Sequence, residues 1–167
     1  AMNYADAVEL LLAVAPAAAT TADVNGQFPT HHAAYFGNWD CVELLLVAAP
    51  HTASAVDTQG HVPIQLAAAK GHWEALYPLI DAAPALVGAT DPEGCLPLHT
   101  AAKNGHSTSV EVLVEAAPET AYQRDIYGRV ALHMAAQYGH AAVVAALLAA
   151  CPDTATLAAP GCPTPLY

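Results

Sequence analysis

The stretch Asp91-Pro92-Glu93-Gly94-Cys95-Leu96-Pro97-Leu98-His99-Thr100-Ala101-Ala102-Lys103-Asn104-Gly105-His106 contains a turn, a helix start, a helix and a helix stop. Aspartate bonds its own backbone in tight turns and glycine accepts a positive φ, so Asp91-x-x-Gly94 reads as a turn. Proline suits the first position of a helix, where no N–H bond is needed, so Pro97 opens a helix. Gly105 ends it in the left-handed conformation. The same order recurs along the chain. Asp23, Asp57, Asp91 and Asp125 stand 34 residues apart, and Gly26, Gly60, Gly94 and Gly128 keep that step. So do Gly37, Gly71, Gly105 and Gly139, and Pro16, Pro50, Pro84, Pro118 and Pro152. A period of this size marks a stacked solenoid, in which each unit buries its apolar faces only against its neighbours. Such a stack serves as a binding surface rather than as a reaction vessel.

Each unit predicts two helices. The first runs over Pro29–Phe36, Pro63–Lys70, Pro97–Asn104 and Ala131–Tyr138. The second starts at Trp39, Trp73, Ser107 and Ala141, with an apolar stripe clearest in Val42, Leu45 and Leu46 and in Val144, Leu147 and Leu148. Ala-Ala-Pro or Ala-Cys-Pro then stops it, because the residue before proline avoids helical angles. Pro78 falls inside a second helix, where it removes one backbone bond at a cost of about 3 kcal/mol. A kink or a shortened helix is therefore expected across 74–82.

The order Asp-x-x-Gly-x-x-Pro-Leu-His-x-Ala-Ala-x-x-Gly-His, followed by Val-x-x-Leu-Leu, resembles the ankyrin repeat, and the resemblance covers the whole chain. It implies an all-α solenoid of stacked helix-turn-helix units with short β-turn fingers. The array is expected over 1–167, with a half repeat at 1–22, repeats at 23–56, 57–90, 91–124 and 125–158, and a partial repeat at 159–167. The departures are specific. Phe28, Val62, Leu96 and Val130 replace the threonine before Pro-Leu-His, which returns only at Thr164. Gln65 replaces one histidine, His32 stands where an apolar residue is expected, and Ala-Ala-Pro replaces Gly-Ala after the second helix.

Composition narrows the function classes. Hydrophobic residues make up 55% of the 167 residues and charged ones 11%, but much of the apolar excess is alanine. Alanine favours helices and lets them approach closely. Each apolar run is interrupted before the roughly 18–20 residues of a membrane span. The run Leu10–Ala15 has no basic leader, which speaks against a secretory signal. A net charge of −11 argues against nucleic acid and anionic membrane as partners. Cys41, Cys95, Cys151 and Cys162 occupy different places in the repeat and form no Cys-x-x-Cys pair. That pattern fits a reducing, intracellular setting, cytoplasmic or nuclear.

The nine histidines invite a metal or acid–base reading. His31, His99 and His133 match the Pro-Leu-His histidine, which in the resembled family bonds backbone near the turn. His72, His106 and His140 follow the stop glycines and are expected to help start the second helix. Equivalent residues of adjacent units lie roughly 8–10 Å apart, whereas two ligands of one zinc must each come within about 2.1 Å of it. His31 and His32 are adjacent and point to different sides of a helix. His51 and His61 read as solvated loop residues. No Gly-x-Ser-x-Gly, phosphate loop, dinucleotide fingerprint or His-Glu-x-x-His occurs. Cys95 reads as an exposed thiol on a turn tip beside Glu93, whose carboxylate raises a thiol pKa, the opposite of what a nucleophile needs. No catalytic residue, cofactor or metal is expected.

The resemblance implies a concave side, made of turn tips and first helices, that binds partner proteins through variable residues. By matched position the tips are Val24, Asn25 and Gln27; Thr58, Gln59 and His61; Pro92, Glu93 and Cys95; and Ile126, Tyr127 and Arg129. The helix ends add Tyr35 and Phe36, Ala69 and Lys70, Lys103 and Asn104, and Gln137 and Tyr138. All four bases, Lys70, Lys103, Arg124 and Arg129, map to this side. The second helices carry Asp6, Glu9, Asp40, Glu43, Glu74, Asp81, Glu111 and Glu115 without a base. An adaptor or scaffold is expected, binding a protein segment with acidic groups near Lys70 and Lys103 and apolar contacts beside them. Chance placement of four bases is the competing reading. Trp39 and Trp73 read as packing residues. The alternative function is a regulatory array that inhibits an enzyme, or recruits substrates to one, outside this chain. Terminal repeats normally need polar caps, and the Val8, Leu10 and Leu11 flank lacks one. Two readings of the ends stand: a piece of a longer array, or end-to-end self-association through a heterologous contact.

Overall fold

The computed structural model describes residues 4–157. Its α-helices are α1 (Tyr4–Val14), α2 (Pro29–Phe36), α3 (Trp39–Ala48), α4 (Pro63–Lys70), α5 (Trp73–Ala82), α6 (Pro97–Asn104), α7 (Ser107–Ala116), α8 (Ala131–Gln137) and α9 (Ala141–Ala150). The bounds read from the sequence hold, except that α8 stops one residue before Tyr138. Helices α2, α4, α6 and α8 stack as one layer, and α1, α3, α5, α7 and α9 as the other. Leu76, Leu98, Leu113 and Leu132 are fully buried between the layers. Ala34, Ala67, Ala68, Ala101, Ala102 and Ala135 are buried with them. These alanines let the layers approach closely, which is the structural use of the alanine-rich composition.

The first helices start without a capping hydroxyl. Phe28, Val62, Leu96 and Val130 are extended and have no acceptor side chain. The amides that a threonine would have accepted turn to backbone instead: His31 N–H donates to the Phe28 carbonyl at 2.9 Å, Gln65 N–H to Val62 at 3.0 Å, and His133 N–H to Val130 at 2.9 Å.

Three expectations need correction. The Ala-Ala-Pro segment is more than a stop. The residue before each proline adopts a φ of −138° to −151°, and the proline then opens a five-residue 3-10 helix, over Pro16–Thr20, Pro50–Ser54, Pro84–Gly88, Pro118–Tyr122 and Pro152–Thr156. A proline that cannot continue one helix is well suited to begin the next. The buried Thr52, Thr120 and Thr154 hydroxyls close these turns by donating to Ala49, Ala117 and Cys151 carbonyls at 2.6–2.7 Å.

Pro78 neither stops nor shortens its helix. Helix α5 runs unbroken over Trp73–Ala82, ten residues like α3, α7 and α9. Proline there removes only the bond to the Glu74 carbonyl four residues back. Pro78 is half-buried, while the fully buried Ala75, Leu76 and Leu79 hold the rest of the helix in place.

Cys95 is buried, not exposed. Its N–H donates to Asp91 Oδ1 at 2.8 Å and its carbonyl accepts the Asp91 N–H at 3.0 Å, which puts it at the root of the finger. Burial, with Asp91, Asp125 and Glu93 nearby, pushes its thiol up to about 11. The expectations for Cys162, Thr164 and the partial repeat 159–167 lie outside the described residues.

Candidate protein-binding site

Each finger is built by one aspartate. Asp23 Oδ1 accepts the N–H of Asn25 and Gln27, Asp57 those of Gln59 and His61, Asp91 those of Glu93 and Cys95, and Asp125 those of Tyr127 and Arg129, all at 2.8–2.9 Å. Burial pushes Asp57 and Asp125 upward, but these amides and the neighbouring side chains outweigh it and hold both carboxyls below their ordinary range. Fingers also bond to one another. Thr58 N–H donates to the Asn25 carbonyl at 2.9 Å and Ile126 N–H to the Glu93 carbonyl at 3.3 Å. Pro92 holds the equivalent position and has no N–H to give the Gln59 carbonyl.

The finger residues divide into tips and roots. Asn25, Gln59, Glu93 and Tyr127 are exposed tips. Gln27, His61 and Arg129 are half-buried roots whose polar ends face aspartates. Gln27 Nε2 donates to Asp57 Oδ2 at 3.1 Å, and His61 Nδ1 lies 3.6 Å from Asp57 Oδ1. The Arg129 guanidinium grips Asp125 Oδ2 at 2.7 and 2.8 Å and lies 4.8 Å from the Tyr127 ring centre. His61 is thus not the solvated loop residue expected, whereas His51 is exposed.

Two histidine ladders run through the stack. In the inner one, His31 Nδ1 accepts the Phe28 N–H at 3.1 Å and His99 Nδ1 the Leu96 N–H at 3.2 Å. That pairing assigns the proton to Nε2, which donates to the next finger's carbonyl, His61 at 3.3 Å and Arg129 at 3.1 Å. Gln65 makes a similar bridge with an amide: Oε1 accepts the Val62 N–H at 3.0 Å and Nε2 donates at 3.3 Å to the Ala89 carbonyl, at the end of the 3-10 helix that precedes the next finger. His133 Nδ1 accepts the Val130 N–H at 3.3 Å. Burial pushes the pKa of His31, His99 and His133 down. Both ring nitrogens of His31 and His99 are committed to backbone, which leaves neither free for proton transfer.

The outer ladder corrects an expectation. His72, His106 and His140 precede the second helices but make no side-chain cap to them. Their rings lie against the stop glycines of the preceding unit, so close that a Cβ on Gly37, Gly71 or Gly105 would come within 2.5–2.6 Å of them. His106 Nε2 donates to the Ala69 carbonyl at 3.1 Å and His140 Nε2 to the Lys103 carbonyl at 2.9 Å. Asn104 Nδ2 also donates to Ala69, at 2.9 Å. The stop glycines thus serve stacking as well as helix termination.

The outer ends of the first helices gather cations and aromatics. Lys70 Nζ sits 4.5 Å from the Tyr35 ring centre, and Tyr35 meets Phe36 edge-on at 5.1 Å. Lys103 Nζ lies 5.9 Å from the Tyr138 ring centre. All five side chains are exposed, and neither lysine forms an ion pair among the described residues. His32, at the position where an apolar residue was expected, is exposed and meets Asp23 Oδ2 at 3.2 Å.

On the opposite layer Trp39 and Trp73 are not core residues: they are 49% and 38% exposed. Trp39 lines a groove between α3 and α5, and Trp73 meets Tyr77 edge-on at 6.1 Å. The sequence carried a signal for this surface in the aromatic and acidic residues that share the second helices.

Among the described residues, no group of three or more His, Cys, Asp or Glu side chains could hold a metal ion, and no helix is long and apolar enough to cross a membrane. No curated protein matches the chain. The family model described as ankyrin repeats (3 copies) matches residues 1–85 and again 65–156. Ankyrin repeats are generally protein–protein interaction modules and are typically non-catalytic. With the fingers, the helix pairs and the two-layer stack in place, the chain belongs to the ankyrin repeat family.

Proposed function

We propose that this chain is a non-catalytic adaptor that binds an acidic segment of a partner protein across the outer ends of its first helices. The observation that carries this is the pair of exposed lysines, each placed against an aromatic ring and neither paired with a carboxylate among the described residues. An ammonium over a ring remains available to a carboxylate on its open side, and aromatic side chains are common interface anchors. Tips Asn25, Gln59, Glu93 and Tyr127 would set the partner's register, with Phe36 and Tyr138 supplying apolar contact. The roots Gln27, His61 and Arg129 would act mainly by holding the fingers, and Asn104 by its bond to Ala69. Among the described residues Cys41, Cys95 and Cys151 are buried free thiols, which fits a reducing cytoplasmic or nuclear setting.

The test is selection of a random displayed-peptide library on the immobilised chain. Enrichment of peptides combining Asp or Glu with bulky apolar residues is expected. Lys70→Glu with Lys103→Glu should weaken the selected peptides about tenfold or more at low salt. Unchanged affinity would defeat the electrostatic part of the proposal.

A second reading rests on a different surface. An apolar groove of about 480 Å³ opens between α1 and α2, lined by Tyr4, Val8, Leu11, Leu12, Phe36 and Leu45 among others. It supports end-to-end self-association, and light scattering over a concentration series tests it: a constant monomer mass excludes stacking in that range.

A further inference from the structure

We propose that the groove between α3 and α5, on the layer opposite the lysines, is a second docking site, and that it takes a cationic, apolar segment of a partner protein. The groove has a volume of about 690 Å³. Leu46, Val47 and Pro78 give it apolar surface, and Trp39 and Tyr77, each 49% exposed, give it aromatic walls. Glu43, Glu74 and Asp81 also line it.

Charge identifies the occupant. Helices α1, α3, α5, α7 and α9 contain no lysine or arginine. The three groove carboxylates form no ion pair among the described residues. A partner bringing arginine or lysine would supply the missing countercharge, and its side-chain stems would cover the apolar wall. Indole and phenol faces attract the same cations, with Trp the strongest. A neutral apolar segment would instead be drawn into a rim of uncompensated negative charge. The groove between α7 and α9 provides an internal contrast. It has Glu111 and Glu115 but no aromatic residue, and about 300 Å³ of space. The two grooves hold three carboxylates and two, so both are acidic; the aromatic walls are what the second one lacks.

The probe is a fluorescently labelled synthetic peptide of alternating arginine and leucine pairs, followed by anisotropy against the whole chain. Saturable binding is expected, with a change in tryptophan emission. Trp39→Ala, and separately Glu43→Gln with Glu74→Gln and Asp81→Asn, should each weaken it about tenfold or more. Glu111→Gln with Glu115→Gln should leave it within about twofold, as should Lys70→Glu with Lys103→Glu, which keeps this site separate from the acidic-segment site. Circular dichroism of each variant checks that the helices persist. Equal losses from the two carboxylate sets would overturn the proposal in favour of diffuse charge attraction. So would equal binding of a peptide with serine in place of arginine, displacement of the peptide by a second copy of the chain, or no binding up to about 1 mM.

Discussion

The inner and outer histidine ladders place the same side chain at the same period in opposite circumstances. The inner rings of His31 and His99 are wholly buried, and each bridges a helix start to the next finger through both nitrogens. The rings of His72, His106 and His140 belong to half-buried residues and lie against a glycine of the preceding unit. The inner ladder depends on hydrogen bonds that water cannot replace, and the outer one on contact and on the missing Cβ. Periodicity therefore identifies a structural role without revealing which physical interaction performs it.

Removing one rung from each ladder should separate them most strongly. His99→Ala strands the Leu96 N–H in the interior, while the Arg129 carbonyl keeps the Asp125 N–H. One buried unpartnered group costs about 1–3 kcal/mol and the vacated ring leaves a cavity besides, so a loss of about 2–4 kcal/mol is expected. His106→Ala exposes its partner carbonyl to water and should cost about 1 kcal/mol. Urea unfolding of both variants measures the difference; equal losses would erase the distinction.

The glycines sharpen the comparison. Gly71 and Gly139 share nearly the same left-handed angle, φ +77° and +76°. A Cβ on Gly71 would meet the His106 ring at 2.5 Å, while nothing described lies within 4 Å of one on Gly139. Gly139→Ala should therefore cost only the conformational penalty, about 1–2 kcal/mol. Gly71→Ala should cost about 1 kcal/mol more, as the ring is forced aside. Thermal melts of the pair isolate the stacking contribution, and His106→Ala in the Gly71→Ala background should recover part of the excess.

Much of this fold was legible because turn, helix and stop each rest on one local rule. Asp91, Gly94, Pro97 and Gly105 act within their own few residues, so the helix bounds followed. What escaped depended on the neighbouring unit. Cys95 looked exposed because it follows a turn glycine, yet its position belongs to the gap between fingers. Pro78 looked disruptive because a propensity ignores Leu76 and Leu79 packed on either side of it in sequence. His106 looked like a helix starter because its true contact, Gly71, is a whole repeat away. At the candidate site, the lysines and aromatics could be mapped to one side by matched position, but the pairing of Lys70 with Tyr35, and the half-buried state of Gln27, His61 and Arg129, are products of stacking.

The ladders should also separate by pH. Burial places the inner histidines His31, His99 and His133 below their ordinary value of 6.5. The unfolded chain then takes up protons first as pH falls, so their contribution is complete above about pH 6.5 and declines below it. Asp57 and Asp125, held below 3.8, begin to withdraw their stabilisation only as pH falls to about that value. Gln65 already bridges two backbone groups without titrating. Replacing His31, His99 and His133 together by glutamine should flatten the stability profile below about pH 6.5, by about 1.4 kcal/mol for each tenfold difference in proton affinity removed. An unchanged slope there would mean that the inner rings do not govern it.

The smallest effect tests whether backbone bonds between fingers matter as much as the bonds of the inner ladder. Pro92 leaves the Gln59 carbonyl without the finger-to-finger bond that Thr58 and Ile126 make elsewhere, and a Cβ on Gly60 would come within 2.7 Å of its ring. Pro92→Thr supplies the N–H, worth about 0.5–1.5 kcal/mol when the bond forms. It also frees the unfolded chain, which costs about 0.4–1 kcal/mol. The two nearly cancel, so stability should change by less than about 1 kcal/mol. Hydrogen exchange reads what stability cannot: the new amide at position 92 should be protected to about the degree of the Thr58 and Ile126 amides. Rapid exchange there would show that the finger ladder is interrupted for reasons other than proline's missing donor, and that adjacent fingers are joined chiefly through histidine and glutamine side chains.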